Sequence, residues 1–181
     1  MNLTPTAIAS ALPRIEPGLA KYLDIQSRVG ATDVATDRDF QRAFNGFYRV
    51  RRDARWQGVF YGLLEREKSE RRSFEHVLRD LHRDLGRYEA SFASKLVATL
   101  DPSQPVLDAF VLKNLGVRLP SATSRDRLAG IVAAHRQVGE AYEGVLATDV
   151  GQALIAAFDD RYPATGLHPV KKLDLVLWQT R

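Results

Sequence analysis

The sequence predicts an all-α protein, and three features of its 181 residues lead to this fold class. Apolar residues recur at helical spacing in most segments of the chain. Strand-like alternation of apolar and polar residues is missing, and no Asn-Gly or Asp-Gly hairpin signal occurs. A hydrophobic fraction of 45% supplies enough apolar surface for a real core. We therefore expect a single orthogonal multi-helix domain of about eight helices over residues 1–181.

The N-terminal part of the chain, residues 1–45, is the least regular part of the predicted fold. It contains Pro5, Pro13 and Pro17. Proline inside a helix removes a backbone hydrogen bond and clashes with the preceding turn. We expect one or two short helices broken by proline, which pack on a core formed by the rest of the chain.

Three helices are predicted in the middle of the chain. The first carries apolar residues at positions i, i+3, i+4, i+7 and i+8 of one face. The next helix takes Ser73 as its N-cap and stops at Gly86, and a third ends before Asp101. The residues of the first apolar face are Trp56, Val59, Phe60, Leu63 and Leu64.

The C-terminal half contains the longest helical pattern, which begins at Thr123 or Ser124. The chain ends with another predicted helix, after Pro169. The residues expected to face inward in this last helix are Val170, Leu173 and Leu177. In that register Lys171 and Lys172 lie on a solvated face.

Basic residues are concentrated in residues 42–87. This segment holds twelve Arg or Lys against seven Asp or Glu, a net charge of +5 in a chain whose total is +4. Arginine forms forked contacts with phosphate, so the segment indicates a polyanionic partner, most simply DNA. The alternative is a solvated helix surface with many ion pairs, because glutamates lie within helical reach of arginines. The residues predicted to contact nucleic acid are Arg49, Arg51, Arg52, Arg55, Arg87 and Lys95.

The sequence lacks the motifs of several functional classes. There is no Gly-rich phosphate loop, no dinucleotide fingerprint and no Gly-x-Ser-x-Gly elbow. There is no cysteine, and the four histidines lack metal-ligand spacing, so we expect neither a metal nor a cofactor. No apolar stretch reaches the ~18 residues that a membrane helix needs, and the N-terminus lacks the pattern of a secretory signal. We therefore expect a cytoplasmic protein without a membrane partner.

One acidic residue stands out in the stretch "SKLVATLDPSQPVLDAFVLKNLG", residues 94–116. Asp108 lies in a run that is otherwise apolar or turn-forming, and burying a bare carboxylate costs several kcal/mol unless it is bonded. As the N-cap of a helix, Asp108 would accept a hydrogen bond from the N–H of Phe110 or Val111, which explains it without any chemistry. Alternatively, Asp108 is the working carboxylate of an active site.

The residues that follow this aspartate make a pattern seen in one enzyme family. In "PVLDAFVLKNLG", Asp108 opens a helix, Val111 follows three residues later, and Leu115-Gly116 closes it. Upstream, "SFASKLVATL" supplies the preceding helix. Residues 85–116 thereby resemble the helix-hairpin-helix DNA glycosylases, with Asp108 at the catalytic position. The resemblance implies a glycosylase-like helical fold and a DNA-repair hydrolase that excises a base.

Two departures from that family refine the expectation. The hairpin stretch reads "LGRYEAS", where only Gly86 is present in place of the family's several glycines, although Arg87 offers a side-chain contact to phosphate. The lysine that gives some members a strand-cleaving step has no counterpart at Glu89 or Ala90. The resemblance therefore implies a monofunctional glycosylase in which Asp108 activates water.

Such an enzyme must also take the target base out of the duplex, and the base usually stacks on aromatic rings in a pocket. The aromatic residues predicted to line that pocket are Tyr48, Trp56 and Tyr88. The alternative function is a non-catalytic DNA-binding or protein-interaction module on the same helical fold, in which Asp108 serves only as a helix cap.

Overall fold

The structure, a computed structural model, describes residues 3–180. This part of the chain is built from α-helices and contains no β-strand, which confirms the all-α prediction. None of the helices in it is long and apolar enough to cross a membrane. The nine helices within residues 3–180 are α1 (Pro5–Val29), α2 (Arg38–Tyr48), α3 (Ala54–Glu70), α4 (Phe74–Leu85), α5 (Ala90–Leu100), α6 (Ala109–Leu115), α7 (Arg127–Leu146), α8 (Asp149–Arg161) and α9 (Pro169–Gln179).

The helices form two compact units, which we describe separately. Residues 3–16 and 90–180 make up the first unit, and residues 17–89 make up the second. Helices α5 to α9 therefore belong to the first unit and α2 to α4 to the second, while α1 has residues in both. A single domain over residues 1–181 stays a prediction.

Helix α1 is one continuous helix of 25 residues, so the prediction of short helices broken by proline is wrong. Pro13 and Pro17 lie on its exposed side. Proline leaves the carbonyl four residues earlier without a helical partner, and on the exposed side water can take that place. The opposite side is buried at every third or fourth position: Ile8, Ala11, Leu12, Ile15, Leu19, Tyr22, Ile25 and Val29.

The core of the second unit is a cluster of aromatic rings on α2 and α3. The ring centroid of Phe44 lies 4.6 Å from that of Tyr48, 5.4 Å from that of Phe60 and 5.8 Å from that of Tyr61. Trp56 stacks on Phe60 with 5.0 Å between centroids. Helix α3 also packs on α4. Four of the five residues predicted for the apolar face of α3 are buried, and the fifth, Val59, is half-buried.

In the first unit, α9 packs against α6, α7 and α8. Helices α7 and α8 meet at a tight turn, where a Cβ atom on Gly151 would lie 2.1 Å from the carbonyl oxygen of Val145. Only glycine fits there. Thr148 caps α8 by accepting a hydrogen bond from the Gly151 N–H at 3.2 Å. The fully buried side chains of this unit include Val138, Tyr142, Leu154, Phe158, Leu173 and Val176.

The helix ends predicted from cap residues are confirmed in four places. Ser73 precedes α4, and Asp108 precedes α6 with its carboxylate accepting a hydrogen bond from the Phe110 N–H at 2.9 Å. Gly86 and Gly116 end the same two helices with φ angles of 73° and 67°. Glycine is favoured in this left-handed conformation because it has no Cβ atom.

Helix α7 begins at Arg127, later than the predicted start at Thr123 or Ser124. The Ser124 N–H donates to the carbonyl of Ser121 at 3.2 Å, so this stretch forms a turn. Ser and Thr favour such turns because their side chains compete for backbone groups.

The prediction that the two lysines of α9 lie on a solvated face is wrong. Lys171 and Lys172 are both buried, because α9 is covered by three other helices of its unit. A buried ammonium group needs a carboxylate partner. Lys171 Nζ donates to Asp174 at 2.9 Å, and Lys172 Nζ donates to Asp159 at 2.6 Å.

Candidate active site

Asp108 lies at the end of the loop that joins α5 to α6, and its side chain is half-buried. One carboxylate oxygen, Oδ1, accepts a hydrogen bond from the Phe110 N–H at 2.9 Å. The residues on both sides differ in exposure, since Leu107 is buried and Ala109 is exposed. The carboxylate therefore stands at the border between the core of the first unit and its surface.

The loop before Asp108 is tied to α5 by a buried serine. Ser94 Oγ accepts a hydrogen bond from the Leu107 N–H at 2.8 Å and donates to the carbonyl of Ser91 at 2.9 Å. This bond brings residue 107 of the loop against residue 94 of α5. Asp108 is the next residue of the loop, and its charge acts on Lys95 of α5.

A histidine on α7 holds the middle of the same loop. The ring of His135 is buried and hydrogen-bonded to the carbonyl of Pro105. At the start of the loop, Asp101 accepts hydrogen bonds from the N–H and hydroxyl of Ser103, at 3.0 and 2.6 Å. Side chains on two helices and the loop's own turn thus fix the backbone that carries Asp108.

A buried charged cluster lies in the same unit. Tyr142 of α7 donates its hydroxyl hydrogen to Asp174 Oδ1 at 3.0 Å, and Lys171 donates to Oδ2 of the same carboxylate at 2.9 Å. Lys171 is only 1% exposed, and Tyr142 is fully buried. The carboxylate of Asp174 is therefore bonded on both oxygens by groups from α7 and α9.

Lys95 of α5 belongs to this cluster. Only 8% of the residue is exposed, and its ammonium lies 4.9 Å from the ring centroid of Phe92. Burial lowers the pKa of Lys95, and among the nearby charges Asp108 opposes that shift most, followed by Asp174. The sequence predicted Lys95 as a nucleic-acid contact, whereas the structure places its amine inside the first unit, beside these carboxylates.

The charges of Asp108 and Asp174 therefore both act on Lys95 and on Tyr142. Burial raises the pKa of Tyr142 well above its ordinary value, with Asp174 adding to the shift, so its hydroxyl stays protonated and donates. Each buried charge costs several kcal/mol even when paired, and such groups concentrate at functional sites. Asp108 is the more exposed of the two carboxylates.

We expect His135 to make the protein less stable in acid. Burial lowers the pKa of His135 to about 4, from 6.5 for a free side chain. Between these two pH values the unfolded chain binds a proton that the folded chain does not bind, so the free energy of unfolding falls as the pH falls. The loss from this one group amounts to about 3 kcal/mol over the whole window.

Urea unfolding at pH 7 and pH 4.5 measures this effect in the wild type and in His135→Gln. The variant should lose less stability between the two pH values, because its amide does not titrate. His76 is exposed, and His76→Gln serves as the matched control for the loss of one histidine. The same pH dependence in all three proteins would contradict the assignment to His135.

The predicted nucleic-acid-binding arginines lie in the second unit and fall into two groups. Arg49, Arg51 and Arg55 are exposed, at the end of α2 and the beginning of α3. Arg52 and Arg87 instead contact the buried carboxylate of Glu89, at 3.3 and 2.8 Å. The first group is exposed at the surface, and the second contacts a carboxylate within the unit.

Many other basic residues in the segment 42–87 are paired with carboxylates. Arg72 bridges Glu67, Glu70 and Asp80, and Arg83 contacts Asp80 at 2.7 Å. The alternative of a surface rich in ion pairs therefore describes α3 and α4 well. The basic residues with a carboxylate within ion-pair distance are Arg42, Arg52, Arg66, Lys68, Arg72, Arg79, Arg83 and Arg87.

The three predicted base-pocket residues also lie in the second unit. Tyr48 and Trp56 are buried in its aromatic core. The Trp56 indole donates to Glu89 at 3.0 Å. Tyr88 is half-buried and stacks on His82, with 4.0 Å between ring centroids. Their rings thus have partners within the unit, and a role as pocket walls stays a prediction.

Sequence reasoning missed several residues of the first-unit site. Ser94 and Tyr142 occupy ordinary positions on helices, and Lys171 was assigned to a solvated face. Phe110 was read only as a backbone donor to Asp108, yet it is exposed. A usable signal existed for Lys171, since it lies three residues before Asp174 on a helix whose other residues are mostly apolar.

Comparison with known proteins adds no assignment, since no family model, no curated protein and no solved structure matches this chain. The activity therefore has to be inferred from the side chains themselves. Within residues 3–180, no group of three or more His, Asp or Glu side chains could hold a metal ion.

Proposed function

We propose that this protein acts on nucleic acid as a DNA glycosylase-like base-excision enzyme, with Asp108 as the carboxylate that activates water. The observation that carries the proposal is the position of Asp108. It is half-buried, and its charge acts on the buried Lys95 and Tyr142, the second of which is hydrogen-bonded to Asp174. A purely structural cap needs no such cluster beside it, and buried titratable groups of this kind are typical of functional sites.

The chemistry of base excision fits a carboxylate in this position. Cleaving an N-glycosidic bond builds positive charge on the sugar, and an ionised carboxylate stabilises that charge or orients the attacking water. Asp108 uses Oδ1 to accept the Phe110 N–H. The second oxygen can receive a hydrogen bond from water. No cofactor is needed for this reaction.

Rigid support of the carboxylate is a further argument for catalysis. Catalytic groups work only when their position is held by surrounding side chains. Ser94 and His135 bind the loop that carries Asp108 from two different helices. We extend the proposal to the architecture, in which α5, the loop and α6 correspond to the second hairpin helix and the following helix of the glycosylases.

A second candidate is a non-catalytic module for binding DNA or protein. The observation that favours it is the hydrogen bond from the Phe110 N–H to Asp108 at 2.9 Å, which is what an N-cap alone requires. In such a module the cluster around Asp174 would be a structural network. A DNA-binding module makes the same prediction for the arginines as the enzyme does, and the enzyme and the module make opposite predictions for base release.

We expect binding to duplex DNA to depend on the three exposed arginines. In the triple variant Arg49→Gln, Arg51→Gln, Arg55→Gln, affinity should fall, and the slope of log K against log salt should become shallower by up to about 2.7, which corresponds to three lost phosphate contacts. Fluorescence anisotropy with a labelled duplex at several salt concentrations measures both quantities.

A second triple variant separates specific contacts from a general loss of positive charge. Arg42, Arg79 and Arg83 are also exposed, but each is paired with a carboxylate of its own helix. Changing these three to glutamine removes the same formal charge and should leave the salt slope nearly unchanged. Equal effects of the two triple variants would overturn the assignment of the binding surface.

The proposed activity itself is tested by a screen for base release. Duplexes and single strands that carry deaminated, alkylated or oxidised bases are incubated with the protein, and free base is detected by chromatography. Release that depends on enzyme concentration supports the glycosylase-like function. Binding without release from any member of a broad panel would favour the non-catalytic module.

A further inference from the structure

Helix α6 and the loop that follows it carry positive charge without any negative charge among it. Residues 109–125 contain no Asp or Glu, and they are the longest stretch of the chain without an acidic residue. Their three basic residues, Lys113, Arg118 and Arg125, are all exposed. None of the three forms an ion pair with a carboxylate of residues 3–180. We name residues 113–125 the α6–α7 basic segment.

The other exposed basic residues of the first unit have partners. Within residues 3–16 and 90–180 these are Arg14, Arg136 and Arg161. Arg136 and Arg161 form ion pairs with glutamates at 3.6 and 3.9 Å, and Arg14 donates to a serine hydroxyl at 2.9 Å. The positive charge of the α6–α7 basic segment is therefore the part of this unit's surface charge that no neighbouring carboxylate offsets.

The backbone of the α6–α7 basic segment is held by specific contacts. Helix α6 ends at Gly116, whose φ angle is 67°, and the N–H of Val117 donates to the Leu112 carbonyl at 3.0 Å. Further along, Pro120 packs on the first turn of α7, where a Cβ atom on Gly130 would lie 3.0 Å from the proline Cγ. Charges on an ordered backbone bind at a lower entropic cost than charges on a free chain.

Exposed hydroxyl groups accompany the basic side chains. Ser121 and Thr123 are both exposed, and their hydroxyl oxygens lie 3.3 Å apart. Arg, Lys, Ser and Thr side chains are the usual donors to phosphate oxygens in protein–DNA complexes. Protein–protein interfaces are instead depleted of Lys and Ser and enriched in aromatic residues. The composition of the segment therefore favours nucleic acid over an acidic protein as its partner.

We propose that the α6–α7 basic segment is a second phosphate-binding surface, which contacts the nucleic-acid backbone through Lys113, Arg118 and Arg125. The inference rests on nucleic acid being the ligand of the proposed function, and it gives the unit that carries Asp108 a binding surface of its own. An ionised carboxylate repels the phosphates of its substrate, and cations on the same unit offset that repulsion. The arginines predicted from the sequence all lie in the second unit.

The test is the salt dependence of binding to a labelled duplex, measured by fluorescence anisotropy. In the triple variant Lys113→Gln, Arg118→Gln, Arg125→Gln, affinity should fall, and the slope of log K against log salt should become shallower by up to about 2.7, the value for three lost phosphate contacts. The charge-preserving variant Lys113→Arg, Arg118→Lys, Arg125→Lys should keep most of the slope. Urea unfolding should show wild-type stability for both variants, because the changed side chains are exposed.

The three partnered arginines of the same unit supply a matched control. Changing Arg14, Arg136 and Arg161 to glutamine removes the same formal charge and should leave the slope nearly unchanged. Equal loss of slope in the two glutamine variants would mean a general effect of charge and would overturn the inference. Poly-glutamate is a second probe. Loss of poly-glutamate binding with unchanged duplex binding in the segment variant would assign the surface to an acidic protein instead.

Base release separates this inference from the proposed function. The glutamine variant of the segment should need a higher protein concentration for half-maximal single-turnover release and keep the maximal rate, because its side chains bind phosphate and not the reacting atoms. Release by the wild type, with wild-type affinity and salt slope in the variant, would overturn the inference and leave the glycosylase-like function standing. A reduced slope in the variant without release by the wild type would support the surface and favour the non-catalytic module. If the wild type binds no nucleic acid, both fail.

Discussion

Asp108→Asn is expected to reduce base release by about 10²- to 10⁴-fold, while folding and DNA binding remain at the wild-type level. The neutral amide cannot balance positive charge that develops on the sugar, and it is a poor base toward water. The amide oxygen can still accept the hydrogen bond from the Phe110 N–H, since asparagine caps helices about as well as aspartate. Catalysis and capping are thereby separated by one isosteric change.

The measurement combines single-turnover base release with urea unfolding of the same protein preparations. Asp108→Ala completes the series, because it removes the cap as well and should lose about 0.5–2 kcal/mol of stability. Asp37 is the matched control, because it is also an N-cap aspartate. It caps α2 and accepts hydrogen bonds from two backbone N–H groups. Asp37→Asn should release base normally. Unchanged release by Asp108→Asn would remove this residue from the chemistry.

Asp174→Ala is expected to destabilise the protein by about 3–5 kcal/mol, the largest stability effect that we predict. The substitution leaves the ammonium of Lys171 buried at 1% exposure without the carboxylate to which it donates at 2.9 Å. It also removes the acceptor of the Tyr142 hydroxyl. An uncompensated charge in the interior costs far more than the pair contributes in net stability.

A double variant and a surface control test that explanation. Lys171→Met combined with Asp174→Leu removes both charges and should regain most of the lost stability, since a buried ion pair is often replaceable by apolar side chains. Glu140→Ala breaks the exposed pair with Arg136 on α7 and should cost less than about 1 kcal/mol. If Asp174→Ala costs no more than Glu140→Ala, the cluster is not a buried ion pair in solution.

Much of the secondary structure could be predicted because its signals are local. The apolar face of α3 follows from helical spacing, and the ends of α4 and α6 follow from Ser73, Gly86, Asp108 and Gly116. Each of these signals depends on residues that lie within a few helical turns of one another. Asp108 could be singled out for the same reason, since its capping role involves only the next two residues.

The continuity of α1 could not be predicted from local rules. Two prolines within a helix ordinarily predict a break. Here Pro13 and Pro17 lie on the exposed side, and the opposite side buries residues along the whole length of the helix. Burial of that apolar face outweighs the lost backbone hydrogen bonds, and its extent depends on what the rest of the chain packs against.

The candidate site itself was beyond prediction apart from Asp108. Lys95, Tyr142 and Lys171 lie far apart in the sequence, and lysines on an amphipathic helix are ordinarily solvated. Lys171 is buried because α9 packs against three helices at once, and its ammonium therefore needs the carboxylate of Asp174 inside the unit. The helices and their caps could therefore be predicted from the sequence alone. The assembly of the site and the exposure of Phe110 depend on long-range packing, which no local sequence pattern encodes.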